Sequence, residues 1–283
     1  MFYIQFILLY YVFWVYYLKK IKEYKKMFKT NVIIHIFNEE YLLPFWLIHH
    51  KKIFDYGVII DYRSTDNSLK ICKEICPDWE IITSRNSCFE AIEIDKEVMD
   101  IESRLEGIKL ALNVTEFIFL EKPLSDYFEE YQEKTIFKVR VISPYSNLTY
   151  YPINKDELIS GLLNTEIKFH YDRSQRFIHN FSNGDYTTGR HFTNHKNEVD
   201  KTSEIFIVWF GFYPWNEHIL NRKLQIKQNI PISDRLKGFS TTHFWDKEQM
   251  IHEMKTKFES GIILSIINNR LYEFLKKIIH YVN

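Results

Sequence analysis

From Asn31 onward the chain alternates short apolar runs with amphipathic stretches. "NVIIHIF" (31–37) is an apolar, β-branched run closed by turn-forming polar residues, which predicts a strand. "EEYLLPFWLIHHKKIF" (39–54) carries Leu43, Trp46, Leu47 and His50 on one stripe, with Pro44 in the first turn, where a missing N–H is tolerated; it predicts a helix. "YGVIID" (56–61) predicts a second strand, "TDNSLKICKEIC" (65–76) a helix with its own capping residues, and "WEIITS" (79–84) a third strand. In "DKEVMDIESRLEGIKLAL" the residues Val98, Ile101, Leu105, Ile108 and Leu112 share one helical face, so a single helix is expected over 95–112, followed by a fourth strand in "VTEFIFL" (114–120).

Four strands separated by helices of crossover length imply a parallel sheet covered on both faces, the doubly wound α/β class. After about residue 130 the alternation stops. "TIFKVRVIS", "EIKFHYDRSQRFI" and "EIFIVWFGF" predict strands of a mixed, partly antiparallel region, and "PWNEHILNRKLQIKQ" and the last forty or so residues predict helices. The reading is one continuous domain over 31–283, its first half (31–128) binding a ligand and its second half (129–283) completing the sheet and covering the ligand edge.

Open α/β sheets bind ligands beyond the carboxyl ends of their parallel strands. The four expected strand ends are "FNEE" (37–40), "DYRSTD" (61–66), "SRN" (84–86) and "EKPLSD" (121–126), and all are polar or charged. That convergence marks the edge to examine.

The chain before Asn31 is of a different kind. "MFYIQFILLYYVFWVYYL" has no charged side chain and is followed by "KKIKEYKK", close to the shortest membrane span of about 17 to 25 residues, with interfacial Tyr and Trp. Residues 1–19 are therefore expected to be a transmembrane anchor and 20–30 a basic juxtamembrane linker. The flanking lysines put the remaining chain on the cytoplasmic side of a single-pass membrane protein. A buried helix, or a start at Met27, are the alternatives. No basic n-region or small-residue cleavage site marks a removed signal peptide.

Composition narrows the rest. Lys plus Arg equals Asp plus Glu, 37 each, so no overall field attracts nucleic acid, and any anion must be held locally. Hydrophobic residues make up 46% of the 283, ample for a packed core. Cys72, Cys76 and Cys88 show neither disulfide nor metal-ligand spacing, and Cys72 and Cys76 suit a buried helix face in a reducing compartment. The three Asn-x-Ser/Thr triplets, at Asn113, Asn147 and Asn180, argue weakly the other way.

"VIIHIFNEE" followed by "VIIDYRSTDNS" resembles the start of family 2 glycosyltransferases of GT-A fold, in which the first strand ends in an Asn-Glu pair and the second in an acidic loop. The longer match from "FNEEYLLPFWLIHH" through "SRN" and "DKEVMDIE" to "LNVTEF" is similar to a subgroup related to family 92. It covers about residues 31 to 120. The resemblance implies a UDP- or GDP-sugar donor and transfer to a hydroxyl of a glycan, glycolipid or protein acceptor, with inversion. Two other readings compete: a degenerate relative that binds a nucleotide sugar or glycan without turnover, and another nucleotide-using enzyme such as a nucleotidyltransferase, against which the absence of glycine in "FNEEYLLP" counts.

Carried over residue by residue, the resemblance implies that Asn38, Glu39 and Asp61 address the nucleoside, while Ser64, Thr65 and Asp66 shape the loop and cap the next helix. The chain departs from the family where Tyr62 and Arg63 follow Asp61, and where the Asp-x-Asp that holds a divalent metal is replaced by "FLEKPLSD". Two solutions are open. Glu121, Asp126 and a late histidine, His191 of "TTGRHF", could together hold Mn2+ or Mg2+, or Arg63 and Lys122 could neutralise the leaving diphosphate directly. The metal set is the preferred expectation. An inverting displacement needs a carboxylate base, for which Asp234 of "IPISD" is favoured narrowly over Glu217 of "PWNEH", with Trp215 available to stack on a sugar.

Overall fold

In the computed structural model, residues 28–280 apart from Gln132, together with Trp14 and Tyr16, are described. All of the expected anchor except Trp14 and Tyr16, and most of the basic linker, therefore lie outside the described residues. Among the described residues, no helix is long and apolar enough to cross a membrane.

The first half winds as β1 (Thr30–Ile36), α1 (Leu43–His50), β2 (Tyr56–Asp61), α2 (Ser68–Ile75), β3 (Glu80–Thr83), α3 (Ala91–Arg104) and β4 (Ile108–Asn113). These four strands are parallel in the order β3-β2-β1-β4. Alternation along β1 sorts the core. Val32, Ile34 and Ile36 pack with Leu43, Leu47 and Cys72 of α1 and α2, and Ile33 packs with Val98 and Ile101 of α3 on the opposite face. His50 is buried and stacked on Trp46, 3.9 Å between ring centroids, so it belongs to the core.

The second half adds β5 (Glu116–Leu120), β6 (Ile136–Tyr145), α4 (Lys155–Ser160), β7 (Lys168–His179), β8 (Val199–Asp200), β9 (Ile205–Trp209), α5 (Glu217–Ile226), α6 (Ile232–Leu236), α7 (Lys247–Ser260), α8 (Leu264–Ile267) and α9 (Asn269–His280). The sheet continues as β4-β7-β6-β9-β5, with β8 paired to β6. The result is mixed α/β with parallel and antiparallel pairs, as the broken alternation predicts.

Two expectations are corrected. The segment 95–112 is not one helix, because α3 ends at Arg104 and Ile108–Asn113 is the fourth parallel strand. Gly107, between them, has φ +88°, and a Cβ there would lie 2.2 Å from the Lys29 carbonyl oxygen, so the turn requires glycine. Ile108 and Leu112 continue the helical spacing only by coincidence, since Ile108, Leu110 and Leu112 equally fit a strand. Consequently "EFIFL" is not the fourth parallel strand.

Its direction matters more. Strand β7 is antiparallel to β4, β6 antiparallel to β7, β9 parallel to β6, and β5 antiparallel to β9. Strand β5 therefore runs against β4, and its carboxyl end lies where the parallel strands begin.

Candidate functional site

The carboxyl ends of β1, β2, β4, β6 and β9 share one end of the sheet. There the two loops singled out in the sequence are stitched to each other. The Ser64 Oγ accepts from the Asn38 N–H at 3.0 Å, and the Asn38 Oδ1 accepts from the Thr65 N–H at 2.8 Å. Asp66 accepts from the Glu40 and Ser68 N–H groups, and the Ser68 Oγ from the Glu39 N–H. Asp61, buried at the tip of β2, accepts from the Arg63 and Ser64 N–H groups at 3.2 and 3.0 Å. This is the chemistry that short polar side chains offer at turns, and it holds Asn38 (φ +52°) and Arg63 (φ +63°) in the left-handed region. The Arg63 guanidinium reaches to the carbonyls of Asn86 (2.9 Å) and Ser84 (3.3 Å), tying in the β3 end.

Helix α5 and the segment after it lie across this edge. Arg222 forms a two-pronged ion pair with Glu39 at 2.6 and 2.5 Å, and the Gln225 side chain donates to the Asn38 carbonyl. The Asn229 carbonyl accepts from the Phe89 N–H, and Asp234 accepts from the Ala91 N–H at 2.8 Å, capping α3 from a distance in sequence.

Two further buried Arg–carboxylate pairs flank the end of β4. Arg176 of β7 binds both oxygens of Glu116 at 3.0 and 2.6 Å and meets the His191 Nδ1 at 3.2 Å. Arg190 binds Asp95 at 2.7 Å and Asn113 at 3.3 Å. Between them, His35 of β1 faces Tyr62 and Phe89, which stack at 4.3 Å. Burial, and then the charges of Arg190, Arg176 and Arg222, push its pKa well below the ordinary imidazole value. Burial and Arg176 bring His191 down to about 4, and burial with Lys223 and Arg222 does the same for His243. These imidazoles are neutral at physiological pH.

Three buried polar atoms at this edge lack a hydrogen-bond partner: His35 Nδ1, Arg190 Nε and Asp234 Oδ1. All three belong to side chains gathered about the start of α3, through Phe89, Asp95 and Ala91 respectively. An unsatisfied buried group costs about 1 to 3 kcal/mol, so each of these atoms is one that an ordered water or a polar ligand would stabilise.

The structure divides the residues expected from sequence. It brings together Asn38, Glu39, Asp61, Arg63, Ser64 and Asp66 at the parallel-strand ends, with Asp234 and His191 beside them. Glu217 is exposed at the start of α5, on the loop after β9. Glu121, Lys122 and Asp126 are at the wrong end, because β5 is reversed. Glu121 pairs with Arg270 at 3.0 and 2.6 Å, and Lys122 lies near Glu130. They cannot join His191 in a metal site, nor can Lys122 join Arg63 at a diphosphate. At the true end of β4 the side chains are Asn113, Thr115 and Glu116, and Glu116 is fully engaged by Arg176 and the Asn113 N–H. Among the described residues no three His, Cys, Asp or Glu side chains gather to hold a metal. The expected set of Glu121, Asp126 and His191 is therefore divided between opposite ends of the sheet.

Sequence reasoning missed His35, Arg176, Arg222 and Lys223. A histidine inside "VIIHIF" was a visible signal; the arginines had none, since their partners are distant in sequence. Lys223 is buried, its ammonium 3.8 Å from the Phe212 ring centroid and 4.9 Å from that of Trp209. Burial and the neighbouring Arg222, opposed by Glu253, lower its pKa from 10.5 to about 7. The unfolded chain thus binds more protons between those values, so this group's penalty is full below pH 7 and is relieved as pH rises towards about 10. Lys223→Met should raise the melting temperature at pH 7 and flatten the rise in stability from pH 7 to 10; thermal melts of both proteins across that range check it.

No protein-family model matches the chain, and no curated protein matches it. Solved structures give weak likenesses. S. aureus TarS 1–349 in complex with UDP is 19% identical over 44% of this chain and 38% of that one, with a TM-score of 0.33. Its complex with UDP-GlcNAc is 11% identical over 71% and 66%, with a TM-score of 0.38. HddC from Yersinia pseudotuberculosis is 10% identical over 63% and 89%, with a TM-score of 0.31. The match to the UDP complex spans well under half of that TarS chain. At these TM-scores the likenesses carry no argument about fold or function.

Proposed function

We propose that the chain is a GT-A-type glycosyltransferase that takes a sugar from a UDP- or GDP-sugar and passes it to a hydroxyl acceptor with inversion. The observation that carries the reading is the convergence at one sheet end. The two loops that resemble family 2 are stitched together there, beside unsatisfied polar atoms and the Arg176–Glu116, Arg190–Asp95 and Arg222–Glu39 pairs. The nucleoside lies over the ends of β1, β2 and β3, against Tyr62, Arg63 and Phe89. The diphosphate lies towards Arg190, Arg176 and Arg222, which it shares with their partners Asp95, Glu116 and Glu39 as negative charge develops on it and the glycosidic C–O bond breaks.

The acceptor oxygen attacks the anomeric carbon from the opposite face, and its proton passes to a carboxylate. We assign that role to Glu217 rather than Asp234, because Glu217 is exposed at this edge, whereas Asp234 is fully buried and holds the Ala91 N–H with one carboxylate oxygen. The uncharged run before Lys19 adds a cytoplasm-facing membrane anchor to the reading.

Incubation with a panel of UDP- and GDP-sugars, assayed for free nucleoside diphosphate, tests the proposal. Release from at least one donor is expected. Binding without release would favour the non-catalytic relative, and neither binding nor release would reject the donor site.

A further inference from the structure

Beside the candidate donor site lies an aromatic group that runs from Tyr41, packed against the edge of the core, out to the exposed rings of His218 and Tyr151. His218, exposed on the first turn of α5, stacks on Tyr41 with ring centroids 4.4 Å apart and planes at 17°. Tyr151 is 48% exposed and stands nearly perpendicular to His218, at 6.0 Å and 87°. Glu217, which precedes His218 at the start of α5, is exposed as well.

Three loops build this corner, and one buried side chain pins them. The Asn216 Nδ2 donates to the Tyr41 hydroxyl and to the Tyr150 carbonyl, both at 2.7 Å, and its Oδ1 accepts from the Ile219 N–H at 3.1 Å. The Tyr150 N–H donates in turn to the Trp215 carbonyl at 3.2 Å. The rings are thus held by the loops after β1, β6 and β9, all at the end of the sheet where the donor would bind.

Two aromatic faces at right angles with a carboxylate at the rim match a pyranose, which has an apolar C–H face and a hydroxyl-bearing edge. We infer that Tyr41, Tyr151 and His218 form a stacking platform for a pyranose ring of the acceptor, presenting one of its hydroxyls towards Glu217. The identification of that ring as the acceptor rests on the glycosyltransferase reading.

Saturation-transfer NMR on the full-length chain, with millimolar methyl β-glucoside, methyl β-galactoside and methyl N-acetyl-β-glucosaminide as probes, tests the platform. At least one glycoside should receive saturation at its ring C–H protons. Tyr151→Ala with His218→Ala should reduce this tenfold or more, and His218→Trp should retain it. Calorimetric UDP or GDP binding should be unchanged in all of them, which also reports that the fold is intact. Absence of transfer to every glycoside, or its persistence in the double variant, overturns the platform. Glycoside binding lost in the variant, with neither nucleotide bound by wild type, would keep the platform and reject the donor reading.

Discussion

Glu217→Gln should lower kcat by about two to four orders of magnitude, the range that a positioned general base supplies, with donor affinity and stability nearly unchanged. The change is isosteric and exposed. Asn216, not Glu217, caps α5 by accepting from the Ile219 N–H, so the helix start survives. Asp234→Asn should behave differently. Its buried carboxylate accepts from the Ala91 N–H at 2.8 Å, so the variant should lose stability and disturb the start of α3. Turnover kept by Glu217→Gln but abolished by a stably folded Asp234→Asn would return the base to Asp234.

The largest stability effect is expected at Arg176. Arg176→Met leaves Glu116, itself 2% exposed, as an unpaired buried charge beside the end of β4. Breaking such a pair from one side costs about 3 to 5 kcal/mol. Adding Glu116→Gln removes the stranded charge and should recover a large part of the loss. Urea unfolding of the single and double variants measures both, and a single-variant loss under about 1 kcal/mol would mean that the pair is solvated.

The parallel core was legible because β1 and β2 are short β-branched runs that end abruptly in polar turns, and α1 carries Leu43, Trp46, Leu47 and His50 on one stripe. The same signals located Asn38, Asp61, Ser64 and Asp66. What they could not convey was use. These side chains spend most of their capacity on neighbouring backbone, as helix starts and tight turns demand. Strand direction was illegible too. Nothing in "EFIFL" states that it runs against β4, yet that reversal separates Glu121 and Asp126 from His191. Arg222 and Glu39 meet across 183 residues, and no local pattern announces such a pair.

The central claim is that a nucleoside diphosphate binds over the carboxyl ends of the parallel strands. Amide hydrogen exchange with and without UDP or GDP tests it most directly. Slower exchange in residues 37–40, 61–66 and 84–91 is the result expected. Protection confined to other segments, such as the β5 end around Glu121, would contradict it.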